Sequence, residues 1–441
     1  MSRPARRRPD HIIVFARYPS PGRTKTRLAP ALGRLGASDL SRRLTERTLA
    51  TARQAAMKRR AGLEVCHDGG GLKPMQRWLG RDLLFTAQAD GGLGERMEAA
   101  LNEALDDGCG RVLLLGTDIP AVEPAHLEQA FQHLEDHDLV LGPSLDGGYW
   151  LIGLRRRADV FTGIAWGRAD VLERTLARAR EKSLSVRLLA MLRDVDTVED
   201  LAAWRPEEAK ARPYLSVVIP ALNEAGRVAR TVASARDPEA EILVVDGGSR
   251  DDTAGEAARA GAQVLSAPRG RARQQNLGAS AARAAVLLFL HADTRLPAGY
   301  AGLIFEALLD PGVRLGAFSF KTDLAGRAMR GIEALANFRS KILKLPYGDQ
   351  GLFLRKAVFA KAGGFPDAPL AEDFLLVRRL KKQGRIVTLA APATTSGRRW
   401  QDLGLVRTTL INQIVLAGLY AGIRPTTLAR IAQRSGPGSR K

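Results

Sequence analysis

Apolar positions along this chain fall into short unbroken runs, separated by longer segments with helical spacing. Unbroken runs of this kind mark strands covered on both faces, which parallel sheets require. In the first half they lie at Ile12–Ala16, Leu63–Cys66, Val112–Leu115 and Leu139–Gly142, with a helical, arginine- and alanine-rich stretch over Ser38–Lys58. In the second half they recur at Ser216–Ile219, Ile242–Val245, Val264–Ser266 and Val286–Leu290. Between the halves, WRPEEAKARP (Trp204–Pro213) places charged residues between two prolines and reads as a linker. The alternation predicts an α/β protein of two tandem domains, each a mostly parallel sheet flanked by helices. The domains are expected over 10–204 and 214–430, joined by 205–213 and followed by a disordered tail at 431–441.

One element occurs twice. RVLLLGTDIP (Arg111–Pro120) and AVLLFLHADTRLP (Ala285–Pro297) are apolar runs that end in an aspartate and then a proline. A carboxylate at the carboxyl end of a buried strand faces the crevice where α/β sheets bind ligands. Two such elements imply two sites on related domains.

At 441 residues the chain exceeds one ordinary core, which agrees with two domains. Its net charge is +20, from arginines spread along the chain with only 5% aromatic residues. No motif interleaves aromatics with the arginines, so phosphorylated substrates or an anionic surface fit this charge better than nucleic acid. Two cysteines, Cys66 and Cys109, in so long a chain point to a reducing, cytoplasmic setting. MSRPARRRPD runs straight into a strand without the apolar core of a signal peptide. No uninterrupted apolar stretch is long enough to span a membrane. Leu403–Ile423 comes nearest, but Arg407, Asn412 and Gln413 break it. It reads as a packed helix, with peripheral contact at the inner membrane face as the alternative. Nothing in the pattern specifies an oligomeric state.

The second half carries the denser chemistry. LSVVIPALNEAGRV is a strand ending at Pro220, then a loop with Asn223 and Glu224. EILVVDGGSRDDT is a strand ending at Asp246, then a glycine turn with Ser249. Carboxylates at adjacent strand ends suit a nucleoside, and a following helix N-terminus suits a phosphate. HADT (His291–Thr294), GDQGLFLRK (Gly348–Lys356), LAEDFLLVRRLKKQG (Leu370–Gly384) and SGRRW (Ser396–Trp400) follow in order. From Leu215 to about Arg430 this series resembles glycosyltransferase family 2. The resemblance implies a GT-A fold and sugar transfer from a nucleotide diphosphate sugar, with Mg²⁺ or Mn²⁺ as cofactor. It places Pro220, Asn223, Glu224, Asp246 and Ser249 in the nucleotide pocket and Asp293 on the metal. His291 stands where the family has the first aspartate of its Asp-x-Asp, which leaves the ion's identity open. It further implies Asp373, beside Glu372, as the base of an inverting transfer, and Asp349 and Gln350 on the substrate side. Arg398, Arg399 and Trp400 would hold the departing diphosphate.

In the first half, FARYPSPGRTKTRL sets Arg17, Arg23, Lys25 and Arg27 in a loop entering a helix, a suitable cradle for a polyphosphate. Asp118 ends the central strand, Asp146 sits in the turn of LGPSLDGGYWLIGL, and Asp196 in LRDVDTVEDL precedes a helix. Asp196 either caps that helix or completes a metal site with Asp118. From Ile12 to Leu201 these segments resemble GT-A-like proteins related to 2-phospholactate guanylyltransferase and to molybdenum-cofactor nucleotidyltransferases. The resemblance implies a nucleotide-binding transferase acting on a nucleoside triphosphate, in which Lys25 and Arg27 hold the triphosphate and Asp118 the metal. Since the fuller glycine-rich loop of many sugar nucleotidyltransferases is missing, the reaction is either nucleotidyl or glycosyl transfer. A tandem enzyme could thus make its donor in one half and use it in the other. The alternative is that one half is an inert nucleotide-binding or scaffolding module.

Overall fold

The computed structural model describes residues 8–210, 212–421 and 423–434. Most of the tail expected at 431–441 therefore lies outside the described residues. The chain divides into two compact units, Met1–Ala211 and Arg212–Lys441.

The first unit is built on seven strands: β1 (Asp10–Arg17), β2 (Gly62–Asp68), β3 (Leu84–Ala87), β4 (Arg111–Leu115), β5 (Leu139–Pro143), β6 (Tyr149–Leu154) and β7 (Val186–Leu188). Their order across the sheet is β3-β2-β1-β4-β6-β5-β7. β6 alone runs antiparallel to its neighbours β4 and β5. β1 and β4 lie in the middle, and the run Ile12–Val14 and Val112–Leu115 are almost wholly inaccessible to solvent. Helices cover both faces, so both faces of these strands must be apolar. The helix expected at Ser38–Lys58 forms the greater part of Ala29–Arg59.

The second unit has eight strands: β8 (Leu215–Ala221), β9 (Ala240–Asp246), β10 (Gln263–Ser266), β11 (Val286–Phe289), β12 (Thr294–Arg295), β13 (Val313–Thr322), β14 (Leu352–Arg355) and β15 (Arg385–Thr395). The order is β10-β9-β8-β11-β14-β13-β15-β12. Its first seven positions repeat the first sheet, with β14 in the place of β6 as the antiparallel member between β11 and β13. β12 pairs with the far edge of β15 and has no counterpart in the first sheet.

In both sheets the chain winds outward from the first strand to its neighbours on one side, then crosses to the fourth strand on the other. Helices leave from opposite faces at that reversal, so a crevice opens at the carboxyl ends of the two central strands. Asp118 follows β4 and Asp293 follows β11, each at its crevice. The duplicated element read from the sequence thus occupies one topological position in two copies of one fold.

Candidate active sites

In the first unit, the loop after β1 is bonded to the end of β2 through Tyr18 N–H and the Asp68 carbonyl, 2.9 Å. It then turns at Lys25, whose φ of 48° is left-handed. That turn sends the lysine inward, where its side chain is almost fully covered. Its Nζ lies 2.6 Å from Asp118 Oδ1 and 2.6 Å from Asp196 Oδ1, and donates to the Val195 carbonyl at 2.7 Å. The DVDT segment is held there by the Val195 N–H, which donates to the Asp118 carbonyl at 3.0 Å. Burial works against the ammonium, but the two aspartates outweigh it and raise the Lys25 pKa.

An ammonium has three N–H donors, and these three acceptors use them all. The structure therefore brings Asp118, Asp196 and Lys25 together, but around the lysine itself. In this arrangement the three donors of Lys25 are taken and a cation stands between the two aspartates, whose side chains remain 50% and 37% exposed. Asp196 also abuts the helix that Thr197 caps, since Thr197 Oγ1 accepts from Asp200 N–H at 3.2 Å.

Arg23, Arg27 and Asp146 line the same cavity, which has a volume of about 510 Å³. Asp146 braces its own turn, accepting from Ser144 Oγ at 2.5 Å and Gly148 N–H at 3.0 Å. Asp194 also lines the cavity, and burial together with Asp146 pushes its pKa up to about 6. Arg96, in the segment DGGLGERM (Asp90–Met97) that opens the helix Leu93–Asp106, reaches the cavity bonded to Gln88 at 2.9 Å, and its buried Nε has no hydrogen-bond partner. Trp166 and Arg168 complete that wall.

In the second unit, the loops after β8 and β9 are stitched together. Asn223 N–H donates to Ser249 Oγ at 2.9 Å, and Asn223 Oδ1 accepts from Arg250 N–H at 2.9 Å. Asp246 accepts from Gly248 N–H and Ser249 N–H, each at 3.0 Å, and from Ser249 Oγ at 2.5 Å. Gln274 ties the two strand ends, donating to the Ala221 and Val245 carbonyls at 2.8 Å each. Pro220, Asn223, Asp246 and Ser249 are thereby gathered at one sheet end, with Pro220 opposite Val245.

Glu224 points across the crevice to Arg398, with which it forms an ion pair, and Arg398 Nη2 also lies 3.7 Å from Asp293 Oδ2. Asp293 is held further by Thr395 Oγ1, 3.5 Å away. Asp373 opens the helix Glu372–Lys381, and its two oxygens accept from Gly348 N–H at 2.6 Å and Phe374 N–H at 2.7 Å. Gly348 has no room for a side chain, because a Cβ there would stand 2.7 Å from His291 Nε2. That contact brings HADT, GDQ and the Glu-Asp pair into one cleft.

Charge in this cleft is acidic. Asp349 is pushed up to about 6, first by burial and then by Asp373 and Asp293 against the opposing Arg339 and Arg271. Its buried Oδ1 has no hydrogen-bond partner, and neither has Glu224 Oε2. Burial raises the Glu372 pKa, with Asp373 adding to it, while Arg271 stands 3.4 Å away. His291 is driven down to about 3 by burial and by Arg271, so its imidazole is neutral with a lone pair available. A carboxylate oxygen of Asp349 without a hydrogen-bond partner, the Asp293 carboxylate and a neutral imidazole are donor types that fit a divalent cation. No group of three or more His, Cys, Asp or Glu side chains among the described residues is gathered tightly enough to hold an ion unaided.

Gln350 departs from expectation. It is fully buried, with Nε2 donating to the Phe318 carbonyl and Oε1 accepting from Tyr347 N–H. It braces the loop from behind and does not reach the cleft. Trp400 leans on Phe320, and the Arg399 side chain lies outside the description.

Residues 48–168 match the family described as "Uncharacterized protein conserved in bacteria (DUF2064)", and residues 216–355 match "Glycosyl transferase family 2". Among solved structures, a "putative nucleotide-diphospho-sugar transferase" from Desulfovibrio desulfuricans G20 is 38% identical over 45% of this chain and 87% of its own, with a TM-score of 0.42. The chain belongs to the nucleotide-diphospho-sugar transferases. Its two units are GT-A-like, and its C-terminal unit carries a glycosyltransferase family 2 domain. S. aureus TarS is similar at 17% identity over 44% of this transferase, with a TM-score of 0.35, and the chain spans 38% of its length. A mannosyltransferase from Pyrobaculum calidifontis, solved with GDP-Man and Mn²⁺, is 19% identical over 50% of this chain and 68% of its own, with a TM-score of 0.38. No curated protein matches the chain.

Removing the lysine from the first crevice tests its role. Lys25→Met leaves two carboxylates facing each other and is expected to cost the unit about 1–2 kcal/mol, a value reduced by their solvent exposure. Manganese should recover part of that loss in thermal unfolding and leave the first transition of the wild type unmoved. Equal manganese effects on both proteins would contradict the assignment.

Proposed function

We propose that the second unit transfers a sugar from a nucleotide diphosphate sugar to an acceptor hydroxyl with inversion at the anomeric carbon. The observation that carries this reading is the convergence of Asp373, Gly348 and His291 in the unit where Arg398 bridges Glu224 and Asp293. Asp373 takes the acceptor proton as that oxygen bonds to the anomeric carbon. The bond from that carbon to the diphosphate breaks, and the nucleoside diphosphate leaves with the bonding electrons. Asp246, Asn223 and Ser249 form the nucleoside end of the pocket, while Arg398 exchanges its carboxylate partners for the diphosphate. A divalent ion held at Asp293, with His291 and Asp349 at hand, would neutralise charge developing on the leaving diphosphate. Backbone N–H groups at both oxygens fix the Asp373 carboxylate in place.

The first unit is, in the same proposal, a nucleotide-binding transferase that prepares the activated donor. Arg23, Arg27 and the unsatisfied Nε of Arg96 supply cations along its cavity. The enclosure of Lys25 favours a second reading, in which this unit binds nucleotide and does not turn it over.

Release of nucleoside diphosphate from a panel of nucleotide sugars tests the first claim. Asp373→Asn should lower turnover by about 10²–10⁴ and keep nucleotide binding. Undiminished turnover would remove Asp373 as the base. Pyrophosphate released from nucleoside triphosphates and sugar phosphates should persist in Asp373→Asn and vanish in the double variant Arg23→Ala/Arg27→Ala. If the wild type releases none, the first unit is a binding module.

A further inference from the structure

The helix Arg327–Lys341 sends three polar side chains into the protein, beside the buried Met329. Glu333 Oε1 accepts from Thr322 N–H at 2.7 Å, and Asn337 exchanges bonds with the backbone of Phe320 at 2.7 and 2.9 Å. Ser340 Oγ accepts from Gln350 at 3.2 Å. The opposite face carries Ala328, Gly331, Leu335, Phe338 and Ile342, spaced as one helical stripe and open to solvent. Leu335 and Phe338 are each 55% exposed and Ile342 is 62% exposed, with Leu343 beside them.

A second helix, Leu405–Tyr420, packs against the first and shows a similar stripe, with Leu410 and Ile414 exposed. An ordinary surface helix turns its apolar stripe inward. Here each helix buries apolar side chains, Met329 on one and Ile411 and Leu419 on the other, and carries a further apolar row that stays exposed. Two adjoining exposed rows define a contact surface.

The charge around these stripes selects the occupant. Between Leu324 and Lys344 stand Arg327, Arg330, Arg339, Lys341 and Lys344, and the only acid is the buried Glu333. From Leu403 onward no Asp or Glu occurs, while Arg407, Arg424 and Arg430 do. A second copy of the chain would set one cationic rim against another. A surface of anionic headgroups over acyl chains complements both features, since leucine, phenylalanine and isoleucine can enter the acyl boundary while lysine and arginine meet the headgroups. No helix among the described residues is long and apolar enough to cross a membrane.

We infer that the exposed face of Arg327–Lys341, together with that of Leu405–Tyr420, docks the chain on an anionic lipid surface. The docking helix is bonded to the loop that carries Asp349, through Ser340 and Gln350. The inference stands independently of the sugar transfer proposed above, because its measurement involves no turnover.

Flotation of the full chain with phosphatidylcholine vesicles, with or without phosphatidylglycerol, reads the docking. The wild type is expected to float with the phosphatidylglycerol vesicles only, and less as salt is raised. The triple variant Leu335→Ser/Phe338→Ser/Ile342→Ser should lose binding by about tenfold or more. Those three side chains are exposed, so the thermal midpoint should hold. A polarity-sensitive fluorophore on Phe338→Cys should shift to the blue when these vesicles are added. Absence of flotation overturns the inference, as does flotation unchanged in the triple variant. A blue shift produced by unlabelled chain alone would make a second copy the occupant and would also overturn it.

Discussion

The aspartate that follows the fourth strand of each sheet is paired with a cation. In both units the pairing falls at the same point of the same topology. In the first, Lys25 reaches Asp118 from the loop after β1, so the partner comes from earlier in the chain. In the second, Arg398 reaches Asp293 from beyond β15, the partner coming from far downstream. The sheets are duplicates, while the cations that complete them are not.

That difference propagates into chemistry. An ammonium enclosed by two aspartates and a carbonyl is spent, because its donors are all used. A guanidinium has five donors in a planar fork and can exchange a carboxylate for a phosphate without leaving its place. Glu224 and Asp293 leave Arg398 in that position, while Asp349 keeps a buried oxygen with no partner. The cation of the second cleft is thus shared between two acids and can be exchanged, while that of the first is enclosed. In the function proposed above, that difference assigns the metal and diphosphate to the second cleft and leaves the arginines of the first cavity for the phosphates of a nucleotide.

The central strands were legible because burial on both faces leaves a continuous apolar run, as in Val112–Leu115 and Val286–Phe289. Partly exposed strands were less legible. β3, at a sheet edge, is only partly covered, and β15, one place in from an edge, contains Pro392 and runs largely through partly exposed positions, although the short edge strand β10 was read as Val264–Ser266. Asp246, Ser249, Asp293 and Asp373 could be placed because ordered motifs fix their strand or helix ends. Gln350 sits inside such a motif, yet its amide is used wholly by backbone and a serine, which no sequence spacing reveals. Arg96 and Trp166 reach the first cavity across long sequence separations. The exposed apolar row of Arg327–Lys341 is not legible in the pattern, because Glu333, Asn337 and Ser340 turn inward with Met329, and spacing alone does not say which face the core takes.

Manganese bound to the whole chain in the presence of a nucleoside diphosphate, counted by electron paramagnetic resonance, tests the central asymmetry most directly. The account predicts a single bound ion, lost in Asp293→Ala and kept in Asp118→Ala. Two ions per chain, or a loss caused by Asp118→Ala, would contradict it.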